Sequence, residues 1–231
     1  TAAIVLWTTM TSFAFLPSLL QRRWTIAAIR FWIGGILALA RRVAGVTYRI
    51  EGRENLPPGP CIIAAQHQSA FETYLLFTLL DRPVFILKRE LARIPIIGWY
   101  IKCAGLVDID RSAGGAALRR TLRCAIAALA RGEQVVIFPE GTNVPPGLRR
   151  PYRPGIAALY LQCDAPVIPV ALNSDYCWGK IRVLKRPGEI TLRFLPALPK
   201  GLGRDEVLDV LRQRIEAAAR TMPGWPETPR T

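Results

Sequence analysis

Cys61-Ile-Ile-Ala-Ala-Gln-His-Gln-Ser-Ala-Phe-Glu72 is the stretch on which the reading of this chain turns. Cys61 to Ala65 is a short uncharged apolar run closed in front by Pro57, Pro58, Gly59 and Pro60, the pattern of a turn followed by a buried strand. From Ser69 the spacing becomes helical, with Phe71, Leu75, Leu76, Leu79 and Leu80 on one apolar stripe. His67, the only histidine in 231 residues, therefore falls at a strand-to-helix junction, where an open α/β sheet exposes its functional groups. An imidazole takes and returns a proton near neutral pH, and a carboxylate on its other ring nitrogen fixes the tautomer. Glu72 is the candidate carboxylate. In a continuous helix it would point about 140° away from His67, so the two meet only if His67 sits in the turn before the helix. The same residues also spell a capping box, Ser69-x-x-Glu72, which leaves a purely architectural reading open.

The chain has material for one sizeable core. Lys and Arg number 31 against 17 Asp and Glu, a net charge of +14, which favours anionic partners: nucleic acid, anionic lipid or phosphorylated substrates. The basic residues come in pairs beside apolar runs, Arg22-Arg23, Arg41-Arg42, Arg119-Arg120 and Arg149-Arg150. That pattern suits a membrane surface, and no stretch interleaves basic and aromatic residues as a nucleic-acid groove does, so no nucleic-acid partner is expected. Five scattered cysteines, Cys61, Cys103, Cys124, Cys163 and Cys177, read as reduced thiols. One histidine and no Cys-x-x-Cys give no metal site.

Residues 1 to 20 carry no charge and as one helix would cover ~30 Å, about a bilayer core, with a kink at Pro17. A second apolar segment, Trp24 to Ala40, is interrupted by Arg30. Because basic residues stay on the cytoplasmic side, the favoured arrangement is a helical hairpin, or one span plus an interfacial helix. Both arginine pairs then lie at the cytoplasmic face of the inner membrane. The alternative is a two-helix cap over the core. This divides the chain into a membrane-associated hairpin (1–45), a globular domain (46–222) and a frayed tail from Met222 onward (223–231).

Within the domain, strands are expected at Thr47 to Glu51, Cys61 to Ala65, Pro83 to Leu87, Gly105 to Ile109, Val135 to Phe138, Val167 to Leu172, Ile181 to Leu184 and Ile190 to Leu195. Helices are expected at Phe71 to Leu80, Ala116 to Ala130, Tyr152 to Gln162 and Arg204 to Arg220. Such alternation implies an α/β fold, a mostly parallel sheet covered by helices. Leu91 to Tyr100, apolar around Pro95 and Gly98, suits either core or a surface for lipid or an acyl chain.

Six blocks occur in order: His67 with Glu72; Lys88 with Glu90-Leu91; Ile94 to Gly98; Asp110-Arg111; Phe138 to Thr142; and Val167 to Val170. Over roughly residues 50 to 175 this resembles the glycerolipid acyltransferase family, in particular its bacterial 1-acylglycerol-3-phosphate acyltransferases. The resemblance implies a glycerol-3-phosphate acyltransferase-like fold with an N-terminal two-helix membrane motif. It also implies acyl transfer from acyl-CoA or acyl carrier protein to the sn-2 hydroxyl of a membrane lysophospholipid, giving phosphatidic acid, with no cofactor beyond the thioester substrate. In the matching positions His67 is the general base and Glu72 stands where aspartate is usual. Arg111 is the phosphate-binding arginine and Lys88 a second cation. Glu140, Gly141 and Thr142 form the acceptor block, followed by Asn143 where arginine or serine is commoner. Two rival readings are another lyso-lipid as acceptor, such as lyso-ornithine lipid, and a non-catalytic basic lipid-binding membrane protein.

Overall fold

A computed structural model describes residues 2–109, 114–148, 150–179 and 185–226. Among them seven strands form one sheet: β1 (Val46–Glu51), β2 (Ile62–Ala65), β3 (Pro83–Lys88), β4 (Val107–Ile109), β5 (Gln134–Ile137), β6 (Val167–Leu172) and β7 (Gly188–Phe194). Their order is β1-β7-β6-β2-β5-β3-β4, and every pairing is parallel except that of β6 with β7. β2 and β5 are central neighbours, buried on both faces, which is why both read as unbroken apolar runs. The helices are α1 (Ala2–Ala14), α2 (Arg22–Ala44), α3 (Phe71–Leu79), α4 (Ile97–Cys103), α5 (Gly114–Ala130), α6 (Gly155–Gln162), α7 (Ser174–Trp178) and α8 (Arg204–Arg220).

Successive strand residues point to opposite faces, so the sheet has two cores. Ile63, Ala65, Phe85 and Val136 pack with Phe71, Leu75 and Leu76 of α3 and with Ile33 and Ala40 of α2. Ile62, Ala64, Val84 and Val135 pack instead with Ala125 of α5, Ile156 of α6 and Leu211 of α8. The result is a three-layer α/β/α arrangement, as the alternating sequence pattern predicts.

The N-terminal helices depart from expectation in two ways. Residues 1–20 do not make one long helix: α1 has 13 residues and a 3-10 turn, Leu16–Leu20, follows it at Pro17. At ~1.5 Å per residue α1 is only ~20 Å long, and no helix among the described residues is long and apolar enough to cross a membrane. The arginine pairs stand at opposite ends of the 23-residue α2, so they share one membrane face only where α2 lies along it, the interfacial form of the expected arrangement. Packing, moreover, does not break at residue 45, since α2 contributes to the same core as α3 and the sheet. Arg22 Nε donates to Ala104 O at 3.0 Å and its guanidinium pairs with buried Glu133; Arg30 Nη2 donates to Leu80 O at 2.7 Å.

α1 is held to α2 by two indoles. Trp7 Nε1 donates to Trp32 O at 2.9 Å and Trp32 Nε1 donates to Thr8 Oγ1 at 3.1 Å. The Trp7 ring lies so close to Gly35 that a Cβ there would collide with it. Gly35→Val therefore forces the ring out, an overpacking cost of about 1–3 kcal/mol. Amide exchange should quicken across residues 2–14 and stay slow in β2 and β5; unchanged exchange in α1 would show that the indole contact does not hold it.

At the other end Met222 is buried, Asn173 Nδ2 donates to Pro223 O at 3.0 Å and Trp225 packs against the second core. Met222 and Trp225 thus pack against the fold while Pro223 and Gly224 are exposed, and residues 227–231 of the expected tail lie outside the described residues. The strand expected at Ile181 to Leu184 lies outside the described residues.

Candidate active site

β2 carries Ile63 and Ala65 toward the α3 face, and the same alternation delivers His67 to that face just beyond the strand. Gln66 N still bonds Val170 O at 3.1 Å, so the chain leaves the sheet at the histidine. Glu72 lies in the first turn of α3, fully buried at 0% exposure. His67 Nδ1 is 3.0 Å from Glu72 Oε1, the meeting that the sequence spacing allows only across a turn.

Other donors converge on the same carboxylate. Gln68 N and Ser69 N each reach Oε1 at 2.7 Å, while Ser69 Oγ at 2.8 Å and Ser174 Oγ at 2.7 Å lie against Oε2. An ionised carboxylate only accepts, so the Nδ1 contact assigns the ring proton to Nδ1 and leaves the Nε2 lone pair free. Ser69 Oγ also accepts Phe71 N at 3.1 Å. One carboxylate therefore both accepts the amides in front of α3 and contacts the ring, although the N-cap of α3 is Ala70 and not the Ser69 of the expected capping box. Phe138 stacks on the imidazole with centroids 4.1 Å apart and 22° between planes. The His67 backbone is fixed on both sides: its N–H donates to Glu140 Oε2 at 2.9 Å and its carbonyl accepts Val144 N at 2.7 Å.

The imidazole, 21% exposed, opens into a slot of about 530 Å³ between the α1–α2 hairpin and β3 with α4. Phe15, Trp32, Phe77, Phe85 and Ile97 are among its walls, and Lys88, Gly141, Thr142 and Asn143 line it as well. In the Leu91 to Tyr100 segment, Leu91 and Ile97 line the slot, and these two and Trp99 are exposed and not core. Among the described residues no three His, Cys, Asp or Glu side chains gather as metal ligands. Burial, partly offset by a Gln134 contact, pushes the Cys61 thiol up to about 12, which removes it as a nucleophile at neutral pH.

Of the residues singled out in the sequence, His67 and Glu72 touch, and Lys88, Gly141 and Thr142 share the slot with the imidazole. Arg111 lies outside the described residues. Glu140 departs from its expected place in the acceptor block. Gly141, at φ 70°, turns the chain there, and the Glu140 carboxyl points behind His67, at 9% exposure, into a cavity separate from the slot. Burial pushes this carboxyl up to about 8, against the pull of the His67 N–H and with the Glu72 charge adding to the rise. Its folded value thus lies above its unfolded one, so ionisation opposes folding, and stability falls as pH rises from the ordinary carboxylate range through about 8. Glu140→Gln, which keeps an acceptor for His67 N–H, should flatten that slope in denaturant titrations at pH 6 and 8.5; an unchanged slope would assign it to other groups. Ser174 was not legible in the sequence, since it meets Glu72 only through the fold, 102 positions away. Phe138 had one usable signal, its position at the end of the strand beside β2.

The family described as Acyltransferase matches residues 47–173. A 1-acyl-sn-glycerol-3-phosphate acyltransferase of Pseudomonas aeruginosa is 35% identical over 217 residues, covering 94% of this chain and 84% of that one. The 1-acyl-sn-glycerol-3-phosphate acyltransferase alpha of Mus musculus is 32% identical over 177 residues, 74% of this chain and 62% of its own length. Among solved structures, the crystal structure of the 1-acyl-sn-glycerophosphate (LPA) acyltransferase PlsC from Thermotoga maritima superposes with a TM-score of 0.77 at 24% identity, over 98% of this chain and 96% of that one.

Proposed function

The chain belongs to the acyltransferase family, and within it we propose that the protein moves a fatty acyl group from acyl-CoA or acyl carrier protein to the sn-2 hydroxyl of 1-acylglycerol-3-phosphate, giving phosphatidic acid. One observation carries this reading: an imidazole whose Nδ1 is held 3.0 Å from a buried carboxylate opens into a largely apolar slot that Lys88 also lines. The names of the relatives point to the same acceptor.

The geometry supports a direct transfer. Nε2 takes the proton of the sn-2 hydroxyl as the oxygen attacks the thioester carbonyl carbon, and Glu72 stabilises the imidazolium that forms. The tetrahedral intermediate collapses, the C–S bond breaks, and the imidazolium returns its proton to the departing thiolate. The products are a new ester and a free thiol, with His67 restored. A thioester is already activated, so positioning and a base suffice, with no cofactor of the protein's own. The slot gives an acyl chain an apolar lining, and Lys88 offers the acceptor phosphate a cation. The exposed apolar side chains of α1, Val5, Leu6, Met10 and Phe13, with arginines at both ends of α2, suit a hairpin resting on the cytoplasmic face of the inner membrane, where such an acceptor resides.

The test is thiol release in detergent or lipid from acyl-CoA and from acyl carrier protein, with lysophosphatidate or a lyso-lipid lacking phosphate as acceptor. Release is expected to require lysophosphatidate. Lys88→Ala should raise the KM for that acceptor about tenfold or more, the worth of a charge-assisted hydrogen bond. Equal use of the phosphate-free acceptor would rule out the proposed substrate.

A further inference from the structure

A second cavity, of about 520 Å³, lies across the His67 backbone from the slot. Gln66 and Gln68, on either side of His67, line it, as do Glu140, Tyr152, Arg212 of α8 and Trp225. The proposed transfer uses none of its side chains directly. One polar atom in it is nonetheless left unsatisfied. Tyr152, 9% exposed, borders the same space. Arg212 Nε is buried without a partner, although the guanidinium stacks over the Tyr152 ring at 5.3 Å. Arg150 and Arg220 add positive charge at the rim, Arg220 sharing Glu216 at 3.4 Å.

Arginines outnumber carboxylates among them, Arg150, Arg212 and Arg220 against Glu140 and Glu216. The Arg212 Nε–H lacks an acceptor, the Tyr152 side chain lies beside it, and burial raises the Glu140 carboxyl, which weakens its negative charge there. Converging donors with surplus positive charge call for an oxyanion. The remaining walls, Val144, Pro145, Met222 and Trp225, call for an organic body attached to it. We propose that this cavity binds a phosphate group, free or carried on an organic body, with Arg212 and Tyr152 as its ligands. Its occupancy reaches the general base through one hydrogen bond, because the Glu140 carboxyl that borders it also holds His67 N–H. Two sources of that phosphate are chemically equivalent: the 3′-phosphoadenosine end of a CoA thioester, which rests on the acyl-transfer reading above, and free phosphate.

Calorimetric titration of the full chain in detergent with inorganic phosphate, and separately with adenosine 3′,5′-bisphosphate, tests the site and its source. One saturable site is expected, weakened about tenfold or more by Arg212→Gln and by Tyr152→Phe. Tyr152→Phe keeps the ring and its stacking, so a loss there cannot be assigned to misfolding. Tighter binding of the bisphosphate would identify the donor's nucleotide end, and the same variants should then raise KM for acyl-CoA but not for an acyl-pantetheine lacking the nucleotide. Equal binding of the two would identify free phosphate. Absence of binding by both, or binding that neither variant weakens, overturns the site. The titration needs no turnover, so an inactive protein that binds would refute the acyl-transfer reading and leave the cavity's role standing.

Discussion

His67→Ala lowers kcat/KM for acyl transfer by about 10²–10⁴-fold, the usual contribution of a positioned general base, while leaving the melting temperature close to that of the parent. The second half follows from how Glu72 is held. Removing the imidazole takes away one of its donors, but Gln68 N, Ser69 N, Ser69 Oγ and Ser174 Oγ remain, so the buried charge is not orphaned and α3 keeps its first turn. The ring is partly exposed and contributes mainly its stack on Phe138. Thiol release and calorimetry on one preparation check both halves, and a variant that turns over at the parent rate would remove His67 from the chemistry.

Glu72→Ala behaves differently: it should abolish transfer and also destabilise the fold by several kcal/mol. A buried donor left without an acceptor costs about 1–3 kcal/mol, and this substitution strands the Gln68 and Ser69 amides at 0% exposure of the residue they bonded. Ser69 and Ser174 partly escape, since their hydroxyls are already 2.8 Å apart and can pair. Glu72→Asp separates the two roles. It keeps the charge but is shorter by a methylene, and a carboxylate anchored in the first turn of α3 favours the adjacent amides over His67 Nδ1. Stability should recover more than activity. If instead Glu72→Ala melts like the parent, the converging donors hold the helix without it and the dual role is wrong.

The parts of the fold written in local pattern were legible beforehand. β2 and β5 announce themselves as uncharged apolar runs ending at polar corners, and α8 as a stripe of Val207, Leu208, Leu211 and Ile215, all buried in the structure except the half-buried Leu208. The His67–Glu72 pair was legible because a turn between strand and helix is the only geometry that brings residues five apart together there. The misreadings have physical causes. The uncharged run of residues 1–20 shows hydropathy but not length of helix, and Pro17 ends α1 early enough that the second helix packs into the core instead. Glu140 was placed in the acceptor block by the family resemblance; the positive φ of Gly141, where its side chain parts from those of Thr142 and Asn143 into another cavity, is a backbone property that no spacing reveals. Ser174 and Trp225 owe their places to β6 and α8 bringing distant chain back to the top of the sheet, and such contacts leave no trace in the sequence near them.

The amide of His67 is tied to Glu140 and its carbonyl to Val144, both in the chain that follows β5, while His67 itself follows β2. The chain leaving two neighbouring buried strands thus carries the imidazole jointly, like a tool clamped in two jaws. On the acyl-transfer reading the imidazole is the stationary partner in each encounter, so glycerol and thioester must adjust to it. Strictness about which hydroxyl reacts then belongs to the sheet, and latitude about the length and shape of the tail belongs to the helical wall opposite.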